Sequence, residues 1–174
     1  LVVLLPGGHH NQQHHTQGCW GWWSEYRLGD VVEALGRGSL TERDFLGLAK
    51  QDDITRFNLS LETTPFRGAV LVTPWCVGRQ LEPAPHGTMV TAFLRQVVAW
   101  ARSELPVLED RGSTGLGGMS SGGLWAIYCG SACSDLFGTV VATQPFTEDL
   151  LRPLRGAVRA RSEPQRLRLV TSEL

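Results

Sequence analysis

The sequence predicts an α/β fold built on a mostly parallel central sheet. Apolar runs of β type alternate with helical stretches along the chain, which is typical of parallel sheets whose strands are joined by helices. A turn rich in glycine and serine stands between one such run and the helical stretch that follows it. The length of 174 residues is sufficient for one domain with a substantial core, so we expect a single domain over residues 1–174.

The expected strands and helices follow from hydrophobic periodicity. Strands are predicted at Val2–Leu5, Ala69–Thr73, Thr114–Gly118, Thr139–Thr143 and Leu167–Thr171. Helices are predicted at Gly29–Leu35, Thr41–Lys50, Thr88–Leu105, Ser121–Gly130 and Glu148–Ala160. The segment Gln80–Gly87, which is rich in proline and glycine, is expected to be a surface loop.

The composition is that of an ordinary globular protein and argues against two classes of partner. Hydrophobic residues make up 42% of the chain, charged residues 19%, and the net charge is -1. This charge gives no reason to expect nucleic acid or an anionic membrane as partner. No apolar run approaches the roughly 20 residues needed to cross a bilayer, and Leu1–Leu5 is too short for the apolar part of a signal peptide. We therefore expect a protein in solution, either secreted or cytoplasmic, and we predict no particular oligomeric state.

The glycine- and serine-rich turn has the pattern G-x-S-x-G, from Gly118 to Gly122, with Ser120 at its centre. A nucleophilic serine at a sharp strand-to-helix turn needs small neighbours, because larger side chains would clash there. Ser120 is therefore the expected nucleophile. The next residue, Ser121, would offer its backbone N–H to an oxyanion at the start of the helix. The pattern predicts a serine hydrolase.

Three segments resemble, in the same order, the esterase family of α/β-hydrolases that includes esterase D and the feruloyl and enterochelin esterases. They are Leu1–His9, Phe93–Pro106, and Gly118–Tyr128 with its continuation Ser134–Gly138. The chain departs from the family at Pro6, where histidine is usual, at Ser121, where methionine is usual, and in the insert Trp20–Pro65. The resemblance covers about half of the chain.

This resemblance implies a three-layer α/β-hydrolase sandwich, truncated at both ends, that hydrolyses carboxylic esters of small molecules. Ser120 would form an acyl-enzyme, the N–H groups of Gly8 and Ser121 would bind the oxyanion, and no cofactor would be needed. The family places an acid and then a histidine after the nucleophile, whereas all five histidines here precede Ser120. Glu173 is the one acid near the expected position. We therefore expect a fragment whose triad histidine lies outside it.

A polar loop from His9 to Cys19 supports a competing interpretation. Two pairs in it, His10 with His14 and His15 with Cys19, have the i, i+4 spacing of metal ligands on a helix. Flanking glycines favour instead a loop that lines the cleft, so no metal is predicted. A substrate-binding wall is expected from His9, Trp20, Trp22 and Trp75, although the Trp-rich segment suits a covered sheet edge equally well. The alternatives to an enzyme are an inactive ligand- or carbohydrate-binding domain and a metal-binding protein.

Overall fold

The computed structural model describes residues 1–7, 18–47, 49–75, 83–145 and 151–171, and for residues 18, 83–87 and 151–153 it describes the backbone alone. The chain divides into two compact units. The first unit comprises Leu1–Gly21 and Val70–Leu174, and the second comprises Trp22–Ala69. The second unit nearly coincides with the segment Trp20–Pro65, which the sequence resemblance does not cover.

The first unit is built on a five-stranded sheet in which every neighbouring pair is parallel. Its strands are β1 Val2–Leu5, β2 Leu71–Val72, β3 Gly115–Met119, β4 Thr139–Thr143 and β5 Arg166–Val170. Their spatial order is β2-β1-β3-β4-β5, so the strand that precedes the G-x-S-x-G turn lies at the centre. The predicted α/β class, the parallel sheet and all five strands are confirmed.

Six α-helices occur in the described part of the chain. They are α1 Gly21–Ser24, α2 Leu28–Gly36, α3 Gln51–Thr63, α4 Pro83–Glu104, α5 Ser121–Ala132 and α6 Leu151–Ala160. None of these helices is long and apolar enough to cross a bilayer.

The core of the first unit lies between one face of the sheet and helices α4 and α5. Alternate residues of a strand point to the same face, and here the strands contribute Val3, Leu116 and Val140. Leu94 of α4 and Cys129 of α5 pack against them and are fully buried. Helix α6 extends this core through a smaller cluster of Leu124, Ile127, Ala142 and Leu154. The sheet therefore holds α5, and with it the turn before α5, in a fixed position.

The second unit corrects one predicted helix and adds another. The described residues of the segment Thr41–Lys50 form no α-helix. They form a 3-10 turn at Glu42–Phe45, which is followed by Leu46 and Gly47, both with positive φ angles, 54° and 74°. Glycine after a run of apolar residues is a common helix terminator. The helix α3 begins at Gln51, four residues after Gly47, and was not predicted. Two acidic residues in its first turn are the sequence signal for it.

The start of α4 corrects the predicted loop Gln80–Gly87. Helix α4 begins at Pro83, so the backbone of residues 83–87 is helical, whereas residues 80–82 lie outside the described part. Proline suits the first position of a helix, because its fixed φ angle is helical and the N–H that it lacks would have no partner there.

Candidate active site

Ser120 occupies the turn between the central strand β3 and the helix α5. Strand β3 ends at Met119 and α5 begins at Ser121, and Ser120 between them has φ 53° and ψ -121°. This combination lies outside the regions that residues with a side chain normally adopt, and such a conformation costs about 1–3 kcal/mol. The residue is exposed. The backbone thus presents Ser120 at the end of the sheet in a strained conformation.

Two backbone hydrogen bonds hold this conformation. The N–H of Ser120 donates to the carbonyl of Thr143, at the end of the neighbouring strand β4, at 2.9 Å. The carbonyl of Ser120 accepts from the N–H of Leu124 at 3.1 Å, which is the first intrahelical bond of α5. The turn is therefore fixed to the sheet on one side and to the helix on the other.

Two glycines, Gly118 and Gly123, allow strand β3 and helix α5 to approach each other so closely. A Cβ atom on Gly118 would lie 2.1 Å from the carbonyl oxygen of Gly122. A Cβ atom on Gly123 would meet the carbonyl of Gly118 at 3.1 Å and that of Thr143 at 3.2 Å. Contacts near 2 Å between a carbon and a backbone oxygen are impossible, so any residue larger than glycine at position 118 requires the backbone to move.

The end of strand β1 passes directly beside the first turn of α5. A Cβ atom on Gly122 would lie 2.4 Å from the carbonyl oxygen of Leu5 and 2.5 Å from that of Pro6. Pro6 and Gly7 are buried. Leu5 and Pro6 therefore lie next to the first turn of α5, and Gly8, two residues after Pro6, lies outside the described residues.

The backbone N–H of Ser121 is available at this position. Ser121 is the first residue of α5, where helical geometry gives backbone N–H groups no partner within the helix. Within the described ranges, no hydrogen bond uses this N–H group. An N–H group at a helix N-terminus is a suitable donor to a negatively charged oxygen.

Two of the predicted substrate-binding tryptophans lie in the first unit, on the β2 side of the sheet. Trp75 follows β2 and is partly buried, whereas Trp20 is 61% exposed. The Thr73 hydroxyl donates to the carbonyl of Cys19 at 2.8 Å and so ties the segment carrying Trp20 to the end of β2. Trp22 belongs to the second unit, where its ring packs against Tyr26 at 4.9 Å. The roles predicted for these tryptophans stay predictions.

The predicted acid and the histidines lie largely outside the described residues. Glu173 and the histidines from His9 to His15 are not described, and for His86, in α4, only the backbone is. The roles predicted for Glu173 and His9 therefore stay predictions. Among the described residues, no three His, Cys, Asp or Glu side chains come together as a metal site, and the His9–Cys19 loop falls mostly outside them.

The titratable groups with shifted pKa nearest to α5 lie beyond the end of the helix that is opposite Ser120. Asp135 forms a bidentate ion pair with Arg95 of α4, with two distances of 2.7 Å. The hydrogen bonds from Arg95 hold the pKa of Asp135 below its usual value, while burial raises the pKa of the Cys133 thiol. The ion pair therefore joins the segment that follows α5 to α4.

Sequence reasoning missed two contributors to the turn. Gly123 was not distinguished from its neighbours, although a third glycine so close to the serine is visible in the sequence. Thr143 was assigned to a strand but not to the site, because its contact with Ser120 depends on which strands are neighbours.

No protein-family model matches the sequence, and no curated protein matches it. Solved structures do match. FphF of Staphylococcus aureus, a fluorophosphonate-binding serine hydrolase solved with substrate bound, aligns with a TM-score of 0.56 at 11% identity over 99% of this chain. A protein named FAE aligns with a TM-score of 0.55 at 14% identity over 98% of this chain. This chain spans 64% and 55% of the lengths of those two proteins.

At these identities the likeness shows the fold alone. The chain has the α/β-hydrolase fold, which confirms the fold that the resemblance to the esterase family implied. What the fold class does not decide is the chemistry, because one scaffold supports many reactions.

Proposed function

We propose that this chain carries the nucleophile of a carboxylic-ester hydrolase and that Ser120 is that nucleophile. One observation carries the proposal: an exposed serine with φ 53° and ψ -121° at the turn between the central strand and α5. Nothing in the packing of the fold requires a strained serine there, because glycine would adopt the same angles without cost. Strain of this kind persists where function requires it.

The reaction would proceed through an acyl-enzyme. Ser120 Oγ attacks the ester carbonyl carbon while its proton passes to a general base, and the carbonyl electrons move onto the oxygen. The tetrahedral intermediate then expels the alcohol, which takes up the proton. Water attacks the acyl-enzyme in the same way and releases the acid. A histidine is the expected base.

Two backbone N–H groups would stabilise the oxyanion. Ser121 contributes the first of the N–H groups at the start of α5. Gly8 would contribute the second, because it comes two residues after Pro6, whose carbonyl lies beside the first turn of α5. Each such donor is worth about 3 kcal/mol of barrier lowering. His9, Trp20 and Trp75 are the proposed lining of the substrate cleft.

The proposal is tested by covalent labelling of the protein that carries this chain. A fluorophosphonate probe reacts when the serine oxygen displaces fluoride from phosphorus, and peptide mass spectrometry locates the phosphonate ester. We expect stoichiometric labelling at Ser120 that is lost in Ser120→Ala. The matched control is Ser121→Ala, which removes a neighbouring hydroxyl but keeps the backbone N–H, and should retain labelling.

Ester turnover completes the test. Hydrolysis of 4-nitrophenyl acetate should depend on Ser120 and survive Ser121→Ala. Labelling at Ser121, or turnover that persists in Ser120→Ala, would contradict the proposed role of Ser120. Binding of aromatic esters without labelling or turnover would favour the ligand-binding alternative.

A further inference from the structure

One peptide unit, between Thr143 and Gln144, joins the ends of three strands. Its carbonyl accepts the N–H of Ser120, directly after β3, at 2.9 Å. Its N–H, which belongs to Gln144, donates to the carbonyl of Val170, the last residue of β5, at 2.7 Å. Strand β4, which ends at Thr143, lies between β3 and β5. The backbone of Ser120 is therefore connected, through a single peptide plane, to a strand that is not the neighbour of β3.

Gln144 repeats the backbone geometry of Ser120 one strand further along the sheet. Each is the first residue after its strand, and each donates its N–H to the last residue of the next strand. Their φ angles are also similar, 44° for Gln144 and 53° for Ser120. They are the two residues other than glycine with positive φ that the structure describes in the first unit. Such strain persists only where the surrounding structure maintains it.

The φ angle of Gln144 is linked to the orientation of this peptide plane. Rotation of the plane changes ψ of Thr143 and φ of Gln144 together, in opposite senses. Residues with a side chain rarely adopt positive φ, and the following Pro145 further favours extended conformations with negative φ. The orientation that makes both hydrogen bonds is thus the one that strains Gln144. A residue that excludes positive φ should turn the plane and weaken both bonds.

We propose that Gln144 is a positioning residue for the nucleophile, and this rests on the proposed function. Its positive φ and its N–H bond to Val170 hold the Thr143 carbonyl where that carbonyl fixes the backbone of Ser120. A displacement of about 1 Å at a reacting group can lower a rate by about 100-fold, so a small rotation of the plane matters. The role belongs to the backbone of Gln144, and the side chain affects it through the φ angles that it permits.

Two substitutions at Gln144 test the φ angle. Glycine adopts positive φ without steric cost, whereas the branched Cβ of valine strongly disfavours it. The variants Gln144→Gly and Gln144→Val both keep the N–H and both lack the glutamine side chain, so any contact of that side chain is lost equally. The matched control is Leu46→Val, which places valine at a φ angle of 54° in the second unit.

The variants are compared by ester turnover in the protein that carries this chain, well below their unfolding temperatures. We expect Gln144→Val to lower kcat for 4-nitrophenyl acetate by about 10-fold or more and to leave KM within about 3-fold, because the serine moves and the substrate-binding surfaces do not. Fluorophosphonate labelling of Ser120 should slow in parallel. Gln144→Gly should keep kcat within about 3-fold, because glycine accepts the same φ angle. Leu46→Val should lose stability without losing kcat.

An amide-to-ester exchange tests the hydrogen bond. Lactic acid incorporated at position 144 is the ester counterpart of Gln144→Ala. It removes the N–H that donates to Val170 and makes the Thr143 carbonyl a weaker acceptor. We expect its kcat to be at least about 10-fold below that of Gln144→Ala. The control is lactic acid in place of Ala142, which removes an N–H from the same strand and leaves the Thr143–Gln144 peptide intact. It should keep kcat within about 3-fold.

Solvent exchange of the Ser120 N–H, followed by NMR, gives a readout that is independent of turnover. It should be faster in Gln144→Val than in Gln144→Gly, and faster in the ester at position 144 than in Gln144→Ala. Equal kcat or equal exchange within either pair overturns this inference. So does an equal loss of kcat in Leu46→Val or in the Ala142 ester. Turnover that persists in Ser120→Ala overturns the proposed function instead, and exchange of the Ser120 N–H then still decides whether Gln144 positions that backbone.

Discussion

The N–H of Ser120 donates a 2.9 Å hydrogen bond to the carbonyl of Thr143, the last residue of the neighbouring strand β4. This bond continues the contact between β3 and β4 by one residue past the register pair Met119 and Thr143. It fixes the direction of the peptide plane before Ser120 and so helps to maintain a φ angle of 53°. The pairing of β3 with β4 therefore fixes the backbone position of the proposed nucleophile.

The close approach of β3 to α5 predicts a large effect for Gly118→Ala. The new methyl group would lie 2.1 Å from the carbonyl of Gly122, so the helix must shift, and we expect a loss of at least about 3 kcal/mol in the free energy of unfolding. Urea denaturation followed by circular dichroism measures this loss. The control is Gly156→Ala in α6, where no atom of the described residues, other than the neighbouring backbone of the helix itself, lies within 4 Å of the new methyl group.

That control should instead gain about 0.5–1 kcal/mol, because alanine is the better residue inside a helix. If both variants unfolded at the same urea concentration, the packing described for Gly118 would be wrong.

The sheet and the turn at Ser120 were predictable because both have local signals. A buried parallel strand is a short continuous apolar run, and the spacing of Gly118 and Gly122 about Ser120 is that of a tight strand-to-helix turn. These signals need no knowledge of which parts of the chain are in contact.

Helix α3 was not predictable in the same way. One residue of it, Ile54, is buried, so its apolar periodicity is weak. Its position depends on Asn58, whose side chain bonds to the backbone of Leu40, 18 residues away. The positive φ of Gln144 likewise accompanies a tertiary contact, the hydrogen bond from its N–H to the carbonyl of Val170 in β5, which the pattern of a single segment does not contain.

The contact between Asn58 and Leu40 predicts a local loss of stability for Asn58→Ala. The amide oxygen accepts the Leu40 N–H at 2.7 Å, and the amide nitrogen donates to the Leu40 carbonyl at 2.9 Å. Losing both bonds leaves two partly buried backbone groups unpaired, which should cost the second unit about 2 kcal/mol. Hydrogen exchange by mass spectrometry should show faster exchange in α3 and around Leu40.

The control for this variant is Gln51→Ala, an exposed residue at the start of α3. It should leave exchange around Leu40 unchanged. Equal protection of Leu40 in Asn58→Ala and the unmodified chain would mean that the amide does not hold this segment.

The ion pair of Asp135 with Arg95 predicts a pH-dependent contribution to stability. Because Arg95 lowers the pKa of Asp135 in the folded protein, the contribution is complete above the usual Asp pKa of about 3.9. It is lost as the pH falls from that value through the lowered pKa. Both side chains are about half exposed, so Asp135→Asn should cost only about 0.5–1 kcal/mol at pH 7.

Unfolding free energies of Asp135→Asn and the unmodified chain, measured between pH 7 and pH 2.5, should converge toward the acid end. Glu109→Gln serves as control, since this exposed carboxylate has no ion pair within the described part of the chain. If the difference in unfolding free energy between Asp135→Asn and the unmodified chain stayed constant from pH 7 to pH 2.5, Asp135 would act through something other than its charge.

The strained backbone of Ser120 predicts that stability and activity change in opposite directions in Ser120→Gly. Glycine adopts φ 53° and ψ -121° without the steric cost, so this variant should be about 1 kcal/mol more stable than Ser120→Ala, which keeps that cost. Both variants should lower Ser120-dependent ester turnover by about 1,000-fold or more, because both lack the hydroxyl. Leu46→Gly relieves a positive φ of 54° at an exposed residue of the second unit, and should leave turnover unchanged. Thermal unfolding of the three variants, with turnover measured on the same samples, tests this prediction. Equal stability of Ser120→Gly and Ser120→Ala would mean that the turn holds no strain. The main support for Ser120 as nucleophile would then be lost.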